Sequence, residues 1–181
     1  MQKNKLSLII IFLLFIFVGL ALFYFRKPVA TQVVVTNFQE CVSAGNPVME
    51  SYPRQCNADG KNYTEFIGNV LEKADKININ QPLPNATVTS PLVVTGQARG
   101  TWFFEASFPV FLTDWDGKII AQGIAQAQSD WMTTEFVPYV ATLTYVLEPS
   151  YSNRGTLILK KDNPSGLPEN DDALEIPVLL K

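Results

Sequence analysis

The sequence contains no histidine. That absence removes Ser-His-Asp triads, Cys-His dyads and histidine metal sites from consideration. Cysteine is nearly absent as well, and Cys41 and Cys56 by themselves cannot supply the four ligands of a structural zinc site. A basic excess is also missing: residues 26–181 hold 12 lysines and arginines against 17 acidic residues, a net charge of −5. A nucleic-acid partner needs a basic patch, so none is expected. No second long apolar run follows the first, which excludes a polytopic membrane protein. Outside residues 1–25 the apolar share is roughly 42%, close to ordinary globular composition.

That first run is the strongest local signal. Residues 6–25 contain eighteen hydrophobic side chains in twenty, interrupted by Ser7 and Gly19. As a helix, twenty residues at about 1.5 Å each span the ~30 Å hydrocarbon core, whereas signal-peptide cores are shorter. Phe23, Tyr24 and Phe25 lead into Arg26 and Lys27, an aromatic interface followed by a charged stop. No small-x-small cleavage site follows. We therefore expect residues 1–27 to be an uncleaved transmembrane signal anchor. Lys3 and Lys5 nearly balance Arg26 and Lys27, so charge alone does not orient it. The cysteine pair prefers an oxidising compartment. With only five residues ahead of Leu6, residues 28–181 are expected outside the cytoplasm, on a single-pass protein of the cell membrane.

Residues 28–76 read as a stalk, a two-cysteine segment and a linker. The stretch 28–37 is uncharged and extended. Residues 38–66 are turn-rich around Cys41 and Cys56, which we expect to form a disulfide compensating for a thin core. Asp59-Gly60 is expected to turn a hairpin. PRQCNADGKNYTE (53–65) faintly resembles the centre of Kazal-type protease inhibitors, although those domains carry six cysteines. Residues 67–76 suit one or two helical turns.

Residues 77–181 alternate with period two. Inward faces are expected at Leu92, Val94, Gly96 and Ala98; at Phe108, Val110 and Leu112; and at Val137, Tyr139, Ala141, Leu143, Tyr145 and Leu147. The same holds for Leu157 and Leu159, and for Leu174, Ile176, Val178 and Leu180. Turns recur every 8–12 residues, and Pro177 belongs on an edge because it cannot donate to a ladder. The fold class is all-β: an immunoglobulin-like sandwich of about seven strands.

Particular words in this region carry a resemblance. They are SPL-VTG-A, WFFEASFPV, D--GK at a hairpin, A-A--DWMT at a corner, and the closing NPSGLPEN. In that order they resemble the immunoglobulin-like domain of bacterial spore germination, over residues 77–180. The resemblance implies a bacterial extracytoplasmic sandwich without known catalytic residues, and it supplies no binding residues.

Candidate chemistry is sparse. Asp114-Trp115-Asp116-Gly117 holds two carboxylates one residue apart, but the twelfth position from Asp114 is Ala125, not the glutamate of an EF-hand loop. A β-turn with Gly117 at positive φ is the expectation. Glu105, Asp130 and Glu135 offer carboxylates, but no sequence feature places two of them across a cleft. No enzymatic activity, cofactor or metal is expected. Trp102, Trp115 and Trp131 are the candidate ligand contacts, since exposed aromatic faces often mark interfaces. If the strand alternates, Trp102 and Phe104 share one face, and Phe103 and Glu105 the other. The expected function is a membrane-anchored binding or scaffolding module, with an envelope protein or another copy as partner. The alternatives are cell-wall carbohydrate binding through adjacent, exposed Trp115 and Trp131, and an inhibitor-like role for a protruding loop between Cys41 and Cys56.

Overall fold

The computed structural model describes residues 34–150 and 152–181. The expected membrane span, 6–25, lies outside them, as does most of the stalk. No helix among the described residues is long and apolar enough to cross a membrane.

The two-cysteine segment begins with α1 (Phe38–Ser43). The Asn37 side chain accepts from the Glu40 N–H at 2.9 Å, satisfying one of the helix's orphan donors. Phe38 and Cys41, three residues apart, share the buried face. Three short strands follow: β1 (Val48–Met49), β2 (Gln55–Ala58) and β3 (Lys61–Thr64), in the order β1-β2-β3. Asp59 and Gly60 join β2 to β3 with φ of 51° and 77°, the two positive angles that a two-residue type I′ hairpin requires. The expected disulfide forms between Cys41 and Cys56, so it ties α1 to the central strand. Both cysteines are fully buried.

A single helical turn, α2 (Val70–Lys73), leads into eight further strands. They are β4 (Ile77–Gln81), β5 (Thr87–Val88), β6 (Leu92–Arg99), β7 (Ser107–Asp114), β8 (Ile119–Ala127), β9 (Phe136–Leu143), β10 (Arg154–Lys160) and β11 (Ala173–Leu180). Their hydrogen-bonded order is β4-β6-β9-β8-β7-β10-β11-β5. β4 and β5 stand at opposite ends of that order, yet only the short 82–86 link separates them in sequence. The sheet therefore folds back on itself, and β6/β9 face β7/β10/β11 as the two layers of a sandwich. β5 pairs with β11 in parallel; the other pairs are antiparallel. The layers share one core. Phe108 of β7 meets Tyr139 of β9 edge-on, with ring centroids 5.0 Å apart. The Tyr139 hydroxyl donates to the Asn78 carbonyl at 2.9 Å, and burial pushes its ionisation far above the ordinary tyrosine range.

Every inward position expected by alternation is buried or packed inside, except Leu147, which is exposed. Its strand stops at Leu143. Tyr145 remains anchored beyond that point, its N–H bonded to Ser90 Oγ and its hydroxyl donating to the Val88 carbonyl.

The free edge of β11 is managed by the linker. Asn69 donates its N–H to the Glu175 carbonyl, accepts the Glu175 N–H on Oδ1 at 2.8 Å, and donates Nδ2 to the Ala173 carbonyl at 2.9 Å. One asparagine thus imitates a strand and hides the edge. Farther along, the Pro177 carbonyl accepts from the Asn85 N–H. The nitrogen of Pro177, which has no proton, faces the same outer side, so the ladder with β10 loses nothing. The approach depends on Gly68. Its φ is +73°, and a Cβ there would lie 1.8 Å from the Glu175 carbonyl oxygen. Gly68→Ala is expected to lift the linker and cost about 2–3 kcal/mol. The checks are a urea midpoint and size-exclusion elution, which should report self-association through the uncovered edge.

Candidate functional site

The three tryptophans have three different fates. Trp102 ends a 3-10 turn (Gly100–Trp102) and is 2% exposed. Phe103, next in sequence, is buried too, while Phe104 is exposed. The alternation expected over 102–105 fails because a 3-10 turn, not a strand, carries these residues inward together. Trp102 is therefore a core residue with almost no exposed surface. Its Nε1 is buried without a protein acceptor among the described residues. Trp131 is partly buried and packs against the same core. Trp115 is 50% exposed.

Trp115 precedes β8 and Trp131 follows it. Nine strand residues at about 3.3 Å each separate them, so they occupy opposite ends of the sandwich. They cannot stack on one short ligand together. The alternative that required adjacent indoles keeps only Trp115.

The turn that carries Trp115 is rigidly built. Asp114 Oδ1 accepts from the N–H groups of Asp116 at 3.0 Å and Lys118 at 2.9 Å. Gly117 has φ +81°, as expected, and its N–H donates to the Asp114 carbonyl. The carboxylate thus caps a β-turn, and no cluster of metal-binding side chains occurs among the described residues. The other carboxylates singled out by sequence are exposed at the far end. Asp130 accepts from the Met132 N–H, and Glu135 lies 3.7 Å from Arg99.

Beside Trp115 is a groove of about 500 Å³. It exists because β8 is paired on both sides only near its end. β8 pairs with β7 along most of its length but meets β9 only at Gln126 and Ala127. A Cβ on Gly123 would lie 3.2 Å from the Thr142 carbonyl, so the two strands are still side by side at that level, and β9 ends one residue on, at Leu143. Ile119 and Ile120 then form one wall, and Val146 and Leu147 the other. Trp115, Ile119 and Val146 are exposed, Val146 to 84%. Lys118 and Glu148 face each other across the groove's rim at 3.4 Å, an exposed pair that contributes little to stability. Its size falls within the usual range for ligand sites. Sequence alternation could not find this groove, since it treated 137–147 as one continuous strand.

A second polar constellation joins the two-cysteine segment to the sandwich. Glu65, 9% exposed, accepts from Arg54 Nε at 2.8 Å and Nη2 at 2.6 Å, and from Asn85 Nδ2 at 3.1 Å. Asn85 also donates to the Phe66 carbonyl. Hydrogen bonds from Arg54 hold the Glu65 carboxyl below its usual range. Asp172 behaves similarly: burial pushes it up, but Lys73 at 2.6 Å and Lys76 at 2.8 Å outweigh that and hold it down. Both groups have lower pKa values folded than unfolded. Their contribution is therefore complete above the ordinary carboxylate range near pH 4 and is lost as pH falls from there through the lower folded values. Thermal melts from pH 7 to 3 should show a decline beginning near pH 5. Glu65→Gln should flatten it and cost about 1–2 kcal/mol at pH 7. That is discounted from the ~3–5 kcal/mol of a fully buried broken pair, because Arg54 is 53% exposed.

The fold and its exposed end groove define an immunoglobulin-like module. The family described as the immunoglobulin-like domain of bacterial spore germination matches residues 76–166, half of the chain, and the chain belongs to it. The match ends at Gly166, but β11, beyond it, completes the sandwich. No curated protein and no solved structure matches the chain.

Proposed function

We propose that the protein is a non-enzymatic, membrane-anchored module of the bacterial cell envelope that binds another envelope protein through the groove beside Trp115. In this reading residues 6–25 form the single-pass anchor and residues 28–181 lie outside the cytoplasm. The buried Cys41–Cys56 disulfide supports that location, since such bonds persist in oxidising compartments. The observation that carries the binding role is the exposed Trp115 beside a groove that pairs apolar walls, Ile119, Ile120, Val146 and Leu147, with a charged rim. A large aromatic on a rigid turn loses little entropy on contact, and such residues concentrate binding energy.

Carbohydrate binding is the second reading, supported by the same half-exposed indole. An inhibitor-like role has less support. Arg54, the basic residue of the loop before Cys56, is held in a two-pronged pair with Glu65 and lies over the Phe38 ring at 5.4 Å.

The test is a photo-crosslinking amino acid in place of Ile119, in the full-length chain expressed in cells. A discrete protein adduct that Trp115→Ala abolishes is the expected result. An adduct to wall glycan alone would overturn the protein-binding reading and install the carbohydrate one.

A further inference from the structure

The groove has a backbone feature as well as a side-chain one. Among the described residues β8 has no ladder partner on its β9 side from Ile119 to Ala125, and its first residues, Ile119 and Ile120, line the groove. On the opposite wall the chain has left β9 at Leu143, and Val146–Ser150 form no regular structure. The start of β8 and the irregular Val146–Ser150 segment thus stand on opposite sides of a slot. An unpaired strand edge is a template for another strand. The β11 edge of the same sandwich is covered by Asn69, whereas the β8 edge in the groove has no ladder cover among the described residues. The rim carries three carboxylates, Asp114, Asp116 and Glu148, against one ammonium, Lys118.

We propose that this slot takes an extended segment of a partner protein by strand addition to the β8 edge at Ile119–Gln122, with an apolar side chain against Trp115 and Val146 and a lysine or arginine against Asp116. This rests on the protein-binding reading above and specifies the partner's chemistry. Main-chain hydrogen bonds supply affinity in this mode, and alternate side chains supply selectivity. The rim selects a cationic strand by charge complementarity. The same charge disfavours the two other large surfaces near such a protein, anionic lipid headgroups and anionic wall polymers. The Lys118–Glu148 pair is exposed at both ends and 3.4 Å long, so a partner's cation can replace Lys118 at Glu148 at little cost.

The experiment uses the full-length chain in detergent micelles. The probe is a capped hexapeptide of alternating valine and lysine. Two controls accompany it: the same peptide with glutamate for lysine, and the lysine peptide N-methylated at alternate backbone nitrogens. Calorimetry should show saturable binding of the lysine peptide. Both controls should bind at least about tenfold more weakly, since one loses charge complementarity and the other the strand's donors. Trp115→Ala should weaken the lysine peptide by about tenfold at unchanged melting temperature. Asp116→Lys should reverse the preference between the lysine and glutamate peptides.

Equal binding of the two charged peptides overturns the proposal, as does undiminished binding of the N-methylated one, or no saturable binding below about 1 mM. Self-association of the chain that Trp115→Ala abolishes assigns the slot to a second copy and also overturns it. A Trp115-dependent protein crosslink at position 119 that the lysine peptide fails to displace overturns strand addition but leaves the protein-binding reading intact. A glycan-only crosslink overturns both.

Discussion

Trp102→Ala is expected to destabilise the protein by about 3–5 kcal/mol, while Trp115→Ala should change stability by no more than about 0.5 kcal/mol. The contrast follows from burial. Trp102 is 2% exposed within the shared core, at the turn where β6 leaves the sandwich, so truncation opens a large cavity. Neighbours at such a site collapse only partly, and the residual void adds to the lost transfer energy. Its carbonyl also accepts the Asp162 N–H, so the disturbance should spread to the β10–β11 loop. Trp102→Phe should cost much less. It retains most of the ring and removes an indole N–H that has no protein acceptor among the described residues. Urea midpoints at unchanged slope are the measurement. If Trp102→Ala proved as mild as Trp115→Ala, the packing assigned to the Gly100–Trp102 turn would be wrong.

Replacing both Cys41 and Cys56 by alanine is expected to cost about 3 kcal/mol, the chain-entropy value for a loop of their 15-residue separation. The loss should be local. Phe38, Cys41, Cys56, Ala58 and Ile67 are buried but lie outside the core shared by β4–β11. The two-cysteine segment thus rests on a small core of its own, joined to the sandwich through Glu65 and Asn85. Amide exchange should show α1 and β1–β3 losing protection while β6–β11 keep theirs. Cooperative loss of protection across both parts would mean that the Glu65–Asn85 junction couples them more tightly than their separate cores imply. The groove lies at the β7–β8 turn, so the lysine peptide should still bind this variant.

Much of the sandwich was legible because a strand's side chains alternate with period two, and one buried face must then read apolar at every second residue. Leu174, Ile176, Val178 and Leu180 needed no tertiary knowledge to be placed inside. The Asp59-Gly60 hairpin was equally local, since few residue pairs tolerate two positive φ angles. Short pieces were missed. α1 is six residues long, and β1 and β5 are two each, too short to show a period.

The candidate site divides along the same line. Composition and spacing by themselves determined that the protein has no histidine chemistry, an acidic net charge, a disulfide pair and an all-β domain, because each depends on residue identity or on near neighbours. Only the tertiary structure decided which tryptophan is free. Trp102, Trp115 and Trp131 are indistinguishable as sequence symbols, and their exposure depends on chain segments tens of residues away. The groove is likewise tertiary: it exists because β8 pairs with β7 along its length and with β9 only at Gln126 and Ala127, and strand pairing is a long-range choice that the pattern of either strand does not encode.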